Sequence, residues 1–216
     1  LSNPDREAGW GTVAFEHDGV KRVFPVRHLE PVAAEEELKL RYTAPDGLGS
    51  VVFTVAKTKD ERSLHFSWRQ EGGAGKLTDV VFPEDAFGAT GEENAIALIP
   101  NCLGVLMYAD ENLPTRLSWL PFNSYAGLSM AMAGMSRGDG GILIWWNDVD
   151  TELGAARTWN PAELPGSTAL TLTLSHPGPA GEFTLVNVGT SDYCKIANAY
   201  RDAAIYKIFC DSPGAG

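Results

Sequence analysis

The sequence predicts an all-β fold, a large antiparallel β-sandwich closed by one C-terminal helix. Three observations carry that expectation. Roughly eleven or twelve short apolar runs, rich in β-branched and aromatic residues, follow one another at close to the spacing of a sandwich or barrel. Several of them alternate apolar and polar residues, as half-buried strands do. Helical spacing occurs only near the end, and no repeated strand–helix pattern precedes it.

Taken in order, Trp10–Phe15 and Val20–Val26 flank Asp18-Gly19. Asp-Gly between such runs is a hairpin signal, because both central turn positions favour φ > 0. Pro31–Glu37 is an acidic connection, Leu38–Tyr42 alternates as a strand, and Ala44–Ser50 is rich in turn residues. Val51–Ala56 and Ser63–Trp68 give the clearest alternation. In the second of these, Leu64, Phe66 and Trp68 share one face, and His65 and Ser67 share the other. His65 is thus expected to be a partly exposed strand residue. Val80–Pro83 and Ala95–Pro100 are apolar runs closed by proline, which cannot continue a central strand. Leu103–Tyr108 is a further strand, and Asp110–Pro114 and Pro121–Tyr125 are loops around Leu117–Leu120.

The stretch Ser124–Asp150 joins two apolar segments. Leu128–Met135 carries three of the four methionines, and Ser136–Gly141 is a turn by composition. Ile142–Trp146 is five consecutive apolar residues, expected as a strand buried on both faces. It delivers Asn147, Asp148 and Asp150 to a rim, where ligand-contacting loops of β-proteins commonly sit. Ala169–Leu174 and Phe183–Val188 form a last strand pair around His176–Gly181. The final periodic segment is a helix, capped by Ser191 or Asp192, with Ile196, Ala197, Tyr200, Ala203, Ala204 and Ile205 at helical spacing.

Composition narrows the function. A formal net charge of −11 argues against attraction to nucleic acid or to anionic membranes. No stretch approaches the ~20 apolar residues of a membrane helix. The histidines at 17, 28, 65 and 176 have no metal-site spacing. The three cysteines, Cys102, Cys194 and Cys210, include no CxxC, and Cys102 reads as a small core residue. GxSxG, P-loop and dinucleotide-binding motifs are missing. Neither a metal nor a cofactor is expected. The chain begins at Leu1 rather than methionine, which leaves the compartment open, a secreted or periplasmic one included.

Two features of the central stretch suit a sugar ligand. Trp145 and Trp146 point to opposite faces of a regular strand, so one can be core while the other stacks on a sugar or covers a neighbouring domain. Trp159 adds a further aromatic. Asp148 and Asp150, two apart in extended chain, lie ~6.5–7 Å apart at Cα. That spacing is compatible with the paired carboxyls of a glycosidase. It equally describes a solvated acidic loop or a calcium site.

Three segments carry a resemblance to a known domain. They are Val80-Val-Phe-Pro83 followed by Leu98-Ile-Pro-Asn-Cys-Leu-Gly104; Tyr125-Ala-Gly-Leu-Ser-Met130 with Gly140-Gly-Ile-Leu-Ile144 and Asp148; and the helix Ser191–Ala204. In order and spacing they resemble the N-terminal β-sandwich, of the supersandwich or galactose-mutarotase-like type, that precedes the catalytic barrel of several bacterial glycoside hydrolases. Trp145-Trp146-Asn147 departs from the small and polar residues usual before the aspartate.

The resemblance implies that acid and nucleophile lie on the barrel and that the sandwich lends a loop to the rim of the active site. A (β/α)₈ barrel needs about 250 residues. The expected organisation is a sandwich over 1–190, a helix over 191–208 leading towards a missing barrel, and a tail over 209–216. The expected function is that of a non-catalytic sandwich domain of a carbohydrate-active enzyme, with carbohydrate and the barrel as partners. Trp145, Trp146, Asn147, Asp148, Asp150 and Trp159 are its candidate substrate-binding residues, and none is catalytic. Mutating Asp148 is then expected to matter only when the rest of the enzyme is present. The alternatives are a stand-alone lectin-like sandwich, stacking sugars on the tryptophans, and a small glycosidase using Asp148 and Asp150.

Overall fold

A computed structural model describes residues 11–84, 87–90, 94–101, 104–110, 115–121, 127–159 and 168–203. Among the described residues, sixteen strands form two antiparallel sheets, with one α-helix after them.

The seven-stranded sheet holds β1 (Thr12–His17), β2 (Val20–Pro25), β7 (Lys76–Val81), β8 (Phe87–Thr90), β11 (Thr115–Pro121), β14 (Glu152–Trp159) and β15 (Thr168–Pro177). Its order is β11-β14-β15-β7-β1-β2, with β8 also paired to β15. The nine-stranded sheet holds β3 (Glu30–Val32), β4 (Leu38–Thr43), β5 (Ser50–Lys57), β6 (Ser63–Glu71), β9 (Ile96–Ile99), β10 (Val105–Tyr108), β12 (Met132–Arg137), β13 (Gly140–Trp145) and β16 (Ala180–Asn187). Its order is β10-β9-β12-β13-β16-β6-β5-β4-β3.

Local chemistry accounts for the best-defined elements. Asp18 and Gly19 both take positive φ (51° and 74°), which closes β1 on β2 in the register Thr12↔Pro25 to His17↔Val20. β12 and β13 pair from Met132↔Trp145 to Arg137↔Gly140, so the turn between them is only Gly138-Asp139. Ser136 and Gly141, expected in the turn, belong to the strands. The sixteen strands are four or five more than expected. β14 was hidden because Gly154, Ala155 and Ala156 weaken its apolar pattern, and β3 because its sequence, Glu-Pro-Val, lies in an acidic connection.

The main core lies between the sheets. Period-two alternation sends Phe53 of β5, Trp68 of β6, Ile144 of β13 and Phe183 of β16 inward to meet Phe15 of β1 and Leu170, Leu172 and Leu174 of β15. Phe66 stacks on Phe183 at 4.7 Å and 9°, and Phe53 meets Phe82 at 5.2 Å. Gly181 has no Cβ because the ring of Trp68 fills that space.

A second, smaller core lies on the outer face of the nine-stranded sheet. Helix α1 (Tyr193–Asp202) starts at Asp192, whose carboxylate accepts the Cys194 amide at 2.9 Å. It lays Ile196, fully buried, onto Met132 of β12 and Leu143 of β13. Gly134 and Gly141 leave the room for this approach, since a Cβ on either would strike Ile196. Burying an isoleucine in this way contributes about 1.5–3 kcal/mol. Ala204, Ile205, Cys102 and Cys210 lie outside the described residues, and Cys194 is an exposed free thiol.

Candidate functional site

The loop after β13 carries Trp146, Asn147, Asp148 and Asp150, between Trp145 at the end of β13 and Trp159 at the end of β14, and the chain crosses there from the nine-stranded sheet to the seven-stranded one. Strand alternation divides those residues into two sets that face away from each other.

One set turns into the sandwich. Trp146 is fully buried, with its backbone amide bonded to the Ala131 carbonyl at 3.1 Å. A stacking platform needs an exposed ring face, and Trp146 has none. Its expected role in sugar binding is corrected on that ground: it is core. Asp148 curls back on its own loop. Its Oδ1 accepts the backbone amides of Asp150 at 3.1 Å and Thr151 at 2.6 Å, and its Oδ2 accepts the Thr151 hydroxyl at 2.7 Å. This is the turn geometry that short acidic side chains favour.

The Thr151 hydroxyl continues the chain inward, 2.6 Å from Nδ1 of His176 on β15. A hydroxyl that donates its proton to a carboxylate must accept from its other partner, so His176 carries its proton on Nδ1. The His176 ring lies edge-on to Trp68 at 4.4 Å and parallel to Phe183. Burial among these rings lowers its pKa to about 4, outweighing the Asp148 charge and the Phe82 backbone, which act in the opposite direction. His176 is therefore neutral at pH 7. The pairing of Thr151 with His176 is not legible in the sequence because it spans 25 residues and joins the loop to the opposite sheet.

Asp148 is occupied in a way that bears on its chemistry. A general acid or base has to present its proton position to substrate. Both oxygens of Asp148 are engaged in holding the loop, while Asp150 is exposed beside it. Among the described residues, no group of three His, Cys, Asp or Glu side chains comes together as a metal would require.

The other set faces outward. Trp145 is half-buried, and part of it packs on the cluster beneath α1. Asn147 is exposed, and its Nδ2 donates to Glu182 Oε1 on β16 at 3.0 Å. Glu182 Oε2 lies 3.4 Å from His65 Nε2 on β6. Trp159 ends β14, paired with Thr168; its side chain lies outside the described residues. The structure thus brings Trp145 and Asn147 to one face and Trp146 and Asp148 to another.

Two antiparallel sheets of this size, packed face to face with, among the described residues, a single α-helix after the last strand, form a β-sandwich of the galactose-mutarotase-like type. No protein-family model matches the sequence, and no curated protein matches it. Among solved structures, the chain is similar to the α-N-acetylgalactosaminidase NagBb from Bifidobacterium bifidum in its GalNAc complex. The TM-score is 0.68 at 12% identity, covering 91% of this chain and 33% of that one. A quadruple mutant of the same enzyme gives a TM-score of 0.66 at 11% identity, over 90% of this chain and 33% of that one. The chain therefore spans about a third of the length of the enzyme structures it matches. A putative aldose 1-epimerase from Escherichia coli K12 gives only 0.42 at 13% identity, over 81% of this chain and 78% of that one.

Proposed function

We propose that this chain is a non-catalytic β-sandwich domain of a carbohydrate-active enzyme, a glycoside hydrolase. On this reading its 145–150 loop faces the substrate or a catalytic barrel that belongs to the same enzyme. The observation that carries the proposal is the match over 91% of this chain to only 33% of a glycosidase. That is the relation expected of one domain to a larger enzyme. The occupied oxygens of Asp148 support it, because they leave the loop poorly suited to acid–base chemistry of its own.

The test compares the 216-residue chain with the product of the whole reading frame on nitrophenyl glycosides, α-linked N-acetylgalactosamine among them. The isolated chain should fold and turn over none, while the longer product hydrolyses at least one. Hydrolysis by the isolated chain, abolished by Asp148→Asn, would favour a small glycosidase instead. A reading frame with no catalytic domain would also defeat the proposal.

A further inference from the structure

We infer that the outer face of the nine-stranded sheet carries a binding site for a neutral monosaccharide unit, built by Trp145, Asn147, Glu182, His65 and Thr184. The inference takes its ligand class from the carbohydrate reading above, but it needs no catalytic partner.

Register places these residues together. Trp145 pairs with Thr184, Thr184 with His65, and His65 with Ala56, making one row across four strands. Glu182 pairs with Ser67 and Ser67 with Thr54, making the adjacent row, and Asn147 reaches into it through its bond to Glu182. The neighbours in sequence, Phe183 and Phe66, pack inward, so both rows lie on the outer face of the sheet; Thr184 is buried there as the floor of the patch, and Glu182 and His65 stand open around it. Two residues of rise set the rows ~6.6 Å apart, and strands lie ~4.8 Å apart, a patch on the scale of a pyranose ring. Ala56, Ser67 and Thr54 are small, so the larger side chains stand clear of the sheet.

The chemistry matches the hydroxyls and C–H face of a sugar. Glu182 is 44% exposed and His65 36%. Each Glu182 oxygen keeps a free lone pair beyond its contact with Asn147 or His65, and Asn147 keeps a second amide proton and its carbonyl oxygen. The His65 contacts, 3.4 Å to Glu182 and 3.4 Å to Thr184, are longer than strong hydrogen bonds, so the ring has unspent capacity. Neighbouring hydroxyls that both donate and accept can satisfy a carboxylate and an amide together. Trp145 borders the patch where the cover of α1 ends, and its indole offers apolar area to C–H groups. A phosphate or sulfate would meet the carboxylate at the centre, which excludes anions.

The experiment titrates the 216-residue chain with galactose, N-acetylgalactosamine and glucose in separate arms, up to about 20 mM, an excess over a millimolar Kd. Amide shifts and saturation transfer are followed by NMR. At least one sugar should shift the amides of 65, 145, 147, 182 and 184 together. Glu182→Gln and Asn147→Ala, both at exposed positions, should each weaken binding about tenfold, as expected for losing a hydrogen bond to a charged group or its partner. Glu16→Gln, on the other sheet, should leave it unchanged. If no sugar shifts this face, or if binding survives both variants, the inference is overturned. It then falls alone provided the longer enzyme still hydrolyses glycosides. A chain that binds sugar here but belongs to no hydrolase would defeat only the functional proposal.

Discussion

The Thr151 hydroxyl lies 2.6 Å from His176 Nδ1, and both side chains are buried. The contact fastens the loop that leaves the nine-stranded sheet to β15 of the opposite sheet. It also places Asp148, through its 2.7 Å bond to Thr151, in the framework of the fold.

Asp148→Ala should therefore destabilise the isolated chain by about 1–3 kcal/mol, since it removes the acceptor for two backbone amides and a buried hydroxyl. Asp148→Asn should cost less, because one acceptor oxygen remains. Urea unfolding of the 216-residue chain measures both.

His176 should make stability depend on pH. Its folded pKa, about 4, lies below the ordinary 6.5, so the unfolded chain takes up a proton first as pH falls. The stabilisation is fully present above pH 6.5 and is lost progressively between 6.5 and 4, about 3 kcal/mol in all. Below about pH 4 the folded form protonates as well and the slope from this group ends. Unfolding midpoints from pH 7.5 to 4 should show the decline, and His176→Gln should flatten it. An equal slope in the variant would assign the pH dependence to other groups.

Gly141→Ala should disturb the docking of α1, because the new methyl would meet the Thr190 carbonyl as well as Ile196. Backbone cannot yield as a side chain does, and overpacking of this kind costs about 1–3 kcal/mol. Gly140→Ala, one residue away, meets only the Arg137 carbonyl at 3.7 Å and should cost little by comparison. Comparing hydrogen exchange of the 193–202 amides in the two variants tests whether the helix is what loosens.

Trp146→Ala should destabilise the chain by about 3–5 kcal/mol, the cost of removing a buried indole. Loss of sugar binding in that variant would report unfolding rather than a missing contact. Circular dichroism of the variant, measured before any binding assay, checks this.

What the sequence disclosed follows the range of the interactions concerned. The hairpin at Asp18-Gly19, the Asp192 cap and the opposite facing of Trp145 and Trp146 all depend on residues within a few positions, and each is legible in order. Asp148 with Thr151 is also local, three residues apart, yet its meaning comes from His176 in the opposite sheet. Thr184 joins His65 across 119 residues through strand register, and Glu182 joins Asn147, on the loop just past β13, across 35. That register cannot be read from alternation, which fixes the face a residue occupies but not its neighbour on the next strand. β14 was missed for a simpler reason: its small residues give no apolar signal.

Adjacent in the chain, Trp145 and Trp146 occupy different surroundings, one at the margin of the helix and the open sheet face, the other sealed between the sheets. They amount to two optical reporters separated by a single peptide bond. In folded variants that keep one of the two and replace the other five tryptophans with phenylalanine, a soluble quencher should reach position 145 and be denied position 146. Emission from the first would follow events on the outer surface, and emission from the second would change only when the two sheets part.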